Sequence, residues 1–82
     1  MIFMKEGLTM PNLLDVLKGV KPNVDFENET MLYDDGIIDS LDVISIIAEL
    51  NDAYGVVVPP DEIIPENFNS MAAIQALVEE LM

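Results

Sequence analysis

Residues 39–55 read DSLDVISIIAELNDAYG, from Asp39 to Gly55, and this stretch decides the fold. At about 100° per residue, Val43, Ile46, Ile47, Leu50 and Tyr54 gather within about a third of a helical circumference. That is the core face of an amphipathic helix running from about Ser40 to Ala53 or Tyr54. Ser40, or Asp39 beside it, offers a side-chain oxygen to the exposed amides at the helix start. Gly55 follows as a residue free to take the left-handed conformation that ends many helices. A narrower apolar stripe of Leu41, Ile44 and Ala48 falls outside the core face and is bordered by Asp42, Glu49 and Asp52. Burial of the helix on two sides would account for it. So would an exposed stripe that docks into a partner's apolar groove rimmed by Lys or Arg. Periodicity is compatible with both.

Upstream, no helical period persists from Lys21 to Asp39, and a connection this long is functional or disordered in most compact domains. Phe26, Met31, Leu32, Tyr33, Ile37 and Ile38 are spread through it, so a packed loop is expected, with a turn at Asp34-Asp35-Gly36. A first helix is predicted over Pro11–Gly19, where Leu13, Leu14, Val16, Leu17 and Val20 share a side. Downstream, Val56-Val57-Val58 reads as a buried loop stopped by Pro59-Pro60. A short third helix or turn covers about Pro60 to Ile64, cut off by Pro65. The last helix starts at Asn69-Ser70 and reaches Leu81, with Met71, Ile74, Leu77, Val78 and Leu81 inward. The chain is therefore all-α, with one domain over residues 11–82 and a leader or extension over residues 1–10.

The 82 residues are 51% hydrophobic, enough for one small core and too much for wholesale disorder. Neither cysteine nor histidine is present, so disulfides and zinc do not staple the fold. Three lysines against sixteen acidic residues give a net charge of −13. This argues against nucleic acid and against anionic membranes, and favours partners with basic patches. Met1 to Gly7 has no basic region, extended apolar run or small-residue cleavage site, and no segment is apolar for long enough to span a bilayer. A cytoplasmic monomer is expected.

Catalysis is not expected, since the common general base and the thiol nucleophile are missing. Lys5, Lys18 and Lys21 stand in contexts that look solvated. Sixteen carboxylates make acid pairs unavoidable by chance, and no glycine-rich phosphate loop is present. Neither 25–29 nor 34–42 supplies the alternating ligands, central glycine and closing Glu of a calcium loop. Ser40 is, on its own, an ordinary helix cap.

Its surroundings add more. The run Asp34-Asp35-Gly36-Ile37-Ile38-Asp39-Ser40-Leu41 resembles the attachment motif of the acyl carrier protein family. The resemblance continues through the acidic-apolar helix to Tyr54-Gly55, then Val58-Pro59, Asp61 to Ile64, Phe68 and Ser70, and covers roughly residues 11–81. It implies a small four-helix bundle with a long loop between the first and second helices and a short third helix. It implies Ser40 as the acceptor of 4'-phosphopantetheine from coenzyme A, with a phosphopantetheinyl transferase supplying the base. The arm would bring the thiol that the chain lacks. Its phosphodiester would sit at a helix N-terminus, which favours an anion, although Asp35, Asp39 and Asp42 oppose that benefit.

Asp39, Leu41, Asp42, Ile44 and Ala48 would then meet partner enzymes: a loading enzyme for acyl or aminoacyl groups, and downstream transferases or synthases with basic docking patches. The stretches at Asp39-Ser40 and Glu66–Ser70 are at least as similar to D-alanyl and secondary-metabolism carriers as to fatty-acid carriers. In a competing class, the chain is an unmodified acidic helical interaction module. Charge yields one expectation for either class. Self-repulsion should make the melting temperature rise from low to moderate salt, and further with magnesium. A flat profile would remove repulsion as a leading destabiliser.

Overall fold

A computed structural model describes residues 11–82, and among them the chain is all-helical with no strand. The elements in order are α1 (Leu13–Val20), α2 (Ser40–Tyr54), a 3-10 turn (Pro60–Glu62), α3 (Pro65–Phe68) and α4 (Met71–Leu81). Helix α1 packs on α2 and α4, while α3 packs on α4. The expected leader over residues 1–10 lies outside the described residues.

Each helix is stopped and started by local chemistry. Asn12, not Pro11, opens α1, because its Oδ1 accepts the Leu14 amide at 2.8 Å. The helix passes through Gly19 and ends only where the Lys21 amide reaches the Leu17 carbonyl. Ser70 caps α4 by accepting the Ala73 amide at 3.0 Å. Gly55 ends α2 with φ 74, the left-handed region where a Cβ is strained. Asn51 reinforces that end, its Nδ2 donating to the Val56 carbonyl at 3.1 Å.

Pro65 corrects the sequence reading. It does not only terminate a third segment; it also begins one, because the missing amide and fixed φ of proline suit the first turn of a helix. The short segment expected over about Pro60 to Ile64 is the 3-10 turn Pro60–Glu62, and the four-residue α3 is a further element beyond it that the sequence reading did not include.

Among the described residues, fourteen apolar side chains form the core, and no polar or charged residue is buried with them. Helices α1, α2 and α4 contribute Leu13, Leu17, Val43, Ile46, Leu50, Ile74, Leu77 and Val78. The predicted face of α2 thus points inward, with Ile47 and Tyr54 at its half-buried edge. Helix α3 adds Phe68, and the remainder comes from irregular chain. Phe26, Leu32 and Ile38 in the long loop are buried, as are Val56 and Val58, whereas Val57 projects outward. The loop is packed, as its apolar content predicts, although Met31 stays exposed.

A single side chain fastens this loop to the far end of the molecule. Asn69 Oδ1, at the junction of α3 and α4, accepts the amides of Tyr33 and Asp34, each at 3.0 Å. Its Nδ2 donates to Asp34 Oδ2 at 3.1 Å, and its backbone carbonyl accepts the Leu32 amide at 2.8 Å. Truncation would strip partners from two loop amides at once. Asn69→Ala is expected to cost about 1–3 kcal/mol in urea unfolding. A loss below about 0.5 kcal/mol, typical of an indifferent surface position, would contradict the clamp.

Candidate functional site

Ser40 is the first residue of α2 and is exposed. It does not cap the helix. Asp39 does, accepting the Asp42 amide at 2.9 Å, while Asp42 Oδ2 accepts the Asp39 amide at 3.0 Å. This reciprocal box satisfies the helix start without the serine. The Ser40 hydroxyl is left for another partner, the Tyr33 phenol, with Oη and Oγ 3.3 Å apart. The amides of Ser40 and Leu41 precede the helix's own hydrogen-bond ladder and face outward with it.

Electrostatics at the site are set by one ion pair. Lys21 Nζ lies 3.2 Å from Asp42 Oδ2, the only salt bridge among the described residues. Burial pushes the Asp42 carboxyl up, but the Asp39 amide and the Lys21 ammonium outweigh it and hold it below its ordinary value. Lys18 is engaged too, donating to the Val24 carbonyl at 3.0 Å and to the Pro22 carbonyl at 3.4 Å. Both side chains remain solvent-accessible, as expected, yet each has a partner: Lys18 ties down the loop after α1, and Lys21 braces the start of α2. Lys5 lies outside the described residues.

The two-stripe question is decided by exposure. Leu41 is 73% exposed and Ile44 is 60% exposed, and Ala48 is exposed with them. The second stripe of α2 is a surface, not a second buried face. Beside it, Ser40 and Tyr33 stand at one side of a cleft of about 320 Å³, walled by Val43, Ile44, Ile63, Ile64, Pro65 and Phe68. A larger cleft of about 460 Å³ lies near the starts of α1 and α4 and contains none of the predicted site residues. The structure therefore brings Asp39, Ser40, Leu41, Asp42 and Ile44 together at the start of α2, with Ala48 further along the same stripe.

An exposed serine at a helix start, next to an open apolar cleft and relieved of capping, can accept a large substituent without disturbing the core. Residues 13–78 match the family model described as "Phosphopantetheine attachment site". The chain belongs to this family. Its prosthetic group is 4'-phosphopantetheine, and it is a carrier of the acyl carrier protein type. Curated relatives include the D-alanyl carrier protein of Lactococcus lactis subsp. lactis (strain IL1403), 31% identical over 70 residues, covering 83% of this chain and 89% of that protein. The D-alanyl carrier protein of L. lactis subsp. cremoris (strain MG1363) is 30% identical over the same shares. No solved structure matches the chain.

Tyr33, Lys21, Asn69 and the cleft residues Ile63, Ile64, Pro65 and Phe68 are surroundings of Ser40 and its loop that sequence reasoning did not connect with it. Tyr33 is seven residues from Ser40 across irregular loop, and Asn69 is further still, so no periodicity links them. The lowered Asp42 value has a pH consequence. A carboxyl depressed by folding contributes stability above its unfolded pKa and loses it as pH falls through the folded one. Carboxyl-carbon NMR should place the Asp42 midpoint below the ordinary aspartate range, and Lys21→Met should raise it. An unmoved midpoint would show that Lys21 does not brace the site.

Proposed function

We propose that Ser40 carries the phosphopantetheine arm and that the chain delivers a small aminoacyl group, of the D-alanyl class, as a thioester. The observation carrying this is the division of labour at the start of α2: Asp39 caps the helix, so Ser40 is exposed and free to be substituted. The arm supplies the thiol that holds the cargo. Ser40 Oγ bonds to the pantetheine-side phosphorus as the phosphoanhydride bond of coenzyme A breaks, adenosine 3',5'-bisphosphate leaves with the bond's electron pair, and the hydroxyl proton goes to a base of the transferase.

The chain's own contribution is presentation. Leu41, Ile44 and Ala48 offer an apolar docking strip, with Asp39 and Asp42 as acidic contacts for a basic rim on the phosphopantetheinyl transferase, the loading enzyme and the acceptor enzyme. Two of those contacts are shared with the capping box, which fixes their position. The carrier itself performs no catalysis; it works in the cytoplasm as a monomer, with residues 11–82 as the carrier domain. The short α3, packed on α4, is the third member of a four-helix bundle.

Support for a D-alanyl cargo comes from the similarity to the two Lactococcus carriers. A short aminoacyl group also needs no apolar enclosure, and once its carboxyl is tied up as the thioester, the acidic surface of a chain with net charge −13 attracts its ammonium.

Incubation with coenzyme A and a broad-specificity phosphopantetheinyl transferase tests the assignment by intact mass. Native protein should gain one phosphopantetheine and Ser40→Ala none. The variant should stay folded, within about 0.5 kcal/mol of native, because Asp39 carries the cap. An arm on Ser40→Ala, or none on native protein with several transferases, would overturn it.

A further inference from the structure

We propose that Tyr33 is a positioning residue for the arm, its phenol donating a hydrogen bond to the phosphodiester rooted at Ser40; this rests on Ser40 being the attachment point.

In the unmodified chain either oxygen of the Tyr33–Ser40 pair can be the donor. Attachment removes that freedom. Once Oγ is bonded to phosphorus it has no proton, and the phenol is left as the sole donor of the pair. The contact of 3.3 Å is long for two hydroxyls, so the unmodified pair is a weak one. A phosphodiester places charged oxygens one bond beyond Oγ, and hydrogen bonds to a charged oxygen are shorter and about twice as strong.

The Ser40 and Leu41 amides are the backbone donors there, and among the described side chains at the start of α2 none other than Tyr33 is placed to join them. Asp39 and Asp42 are acceptors locked in their capping box. Lys21 is turned to Asp42. The phenol is neutral, so it donates without requiring a further counter-charge in a strongly acidic surface.

Its position is also built independently of α2. The ring packs against the core, and the Tyr33 amide is held by Asn69 Oδ1 at 3.0 Å. The Tyr33 carbonyl accepts the Gly36 amide at 3.0 Å, closing the turn that follows. Tyr33 and Ser40 border the same cleft, so an anion held between them starts the arm at the cleft's edge.

The chain contains two tyrosines, and Tyr54 serves as an internal control because its Oη donates to the Pro11 carbonyl at 2.6 Å. Protein carrying 13C at the tyrosine Cζ is followed by NMR from the apo form to the phosphopantetheine form. The Tyr33 resonance should move on attachment and the Tyr54 resonance should not. In parallel, the 31P resonance of the native modified protein should be displaced from that of an unfolded peptide bearing the same group. Tyr33→Phe, which keeps the ring and loses only the hydroxyl, should return it toward the peptide position. A Tyr33 resonance unchanged by attachment overturns the proposal in native protein, whatever the variant's stability. So does a 31P resonance that is identical in folded native and Tyr33→Phe proteins. If mass spectrometry finds no arm on Ser40, the attachment reading itself has failed, a different outcome from an arm that ignores Tyr33.

Discussion

The surroundings of Ser40 depend on two side chains being held in the core, Leu32 and Ile38, both essentially inaccessible to solvent. The Ile38 amide donates to the Leu32 carbonyl at 3.0 Å, pinching the chain between them. What lies between must bulge outward, and Gly36 allows the tight reversal with φ 73. The pinch then hands the chain directly to Asp39, whose extended backbone and carboxylate start α2. A serine delivered this way is presented by packing on one side and by a capping box on the other. Asn69 secures the outer half of the same loop from the opposite end of the sequence. Ser40 is thus exposed, yet every segment next to it is anchored.

Charge shapes the rest. With a net charge of −13, the chain gains little from salt bridges, and the described lysines serve positions that matter to the loop and to α2. Lys21 pairs with one of the carboxylates near Ser40, which lessens the negative field there. The remaining acidic surface stays available for partners with basic docking patches. Stability must come from apolar burial, and among the described residues no polar or charged one is buried in the core.

Much of this was legible in the sequence because periodicity reports burial. The inward face of α2 and the stripe of α4 follow directly from spacing, and Gly55 and Ser70 mark ends by their own conformational and hydrogen-bonding chemistry. The exposed second stripe of α2 was not decided by spacing, since a stripe on a helix states only which residues share a side. Pro65 was misread because a proline that cannot continue a helix is equally suited to beginning one. At the site, the motif around Ser40 was readable as a local run. Tyr33, Asn69 and the cleft were not, because tertiary contacts across irregular chain leave no repeat in the sequence. Asp39 and Ser40 could each have been the cap; only the hydrogen bonds assign it to Asp39.

The central claim is that the protein works through an arm on Ser40. Tandem mass spectrometry of the protein isolated from its own cells, with the load intact, tests it most directly. Fragmentation should locate one phosphopantetheine on Ser40, bearing an aminoacyl thioester. Location of the group on Ser45 or Ser70, or isolation of an active protein with no group at all, would contradict the account.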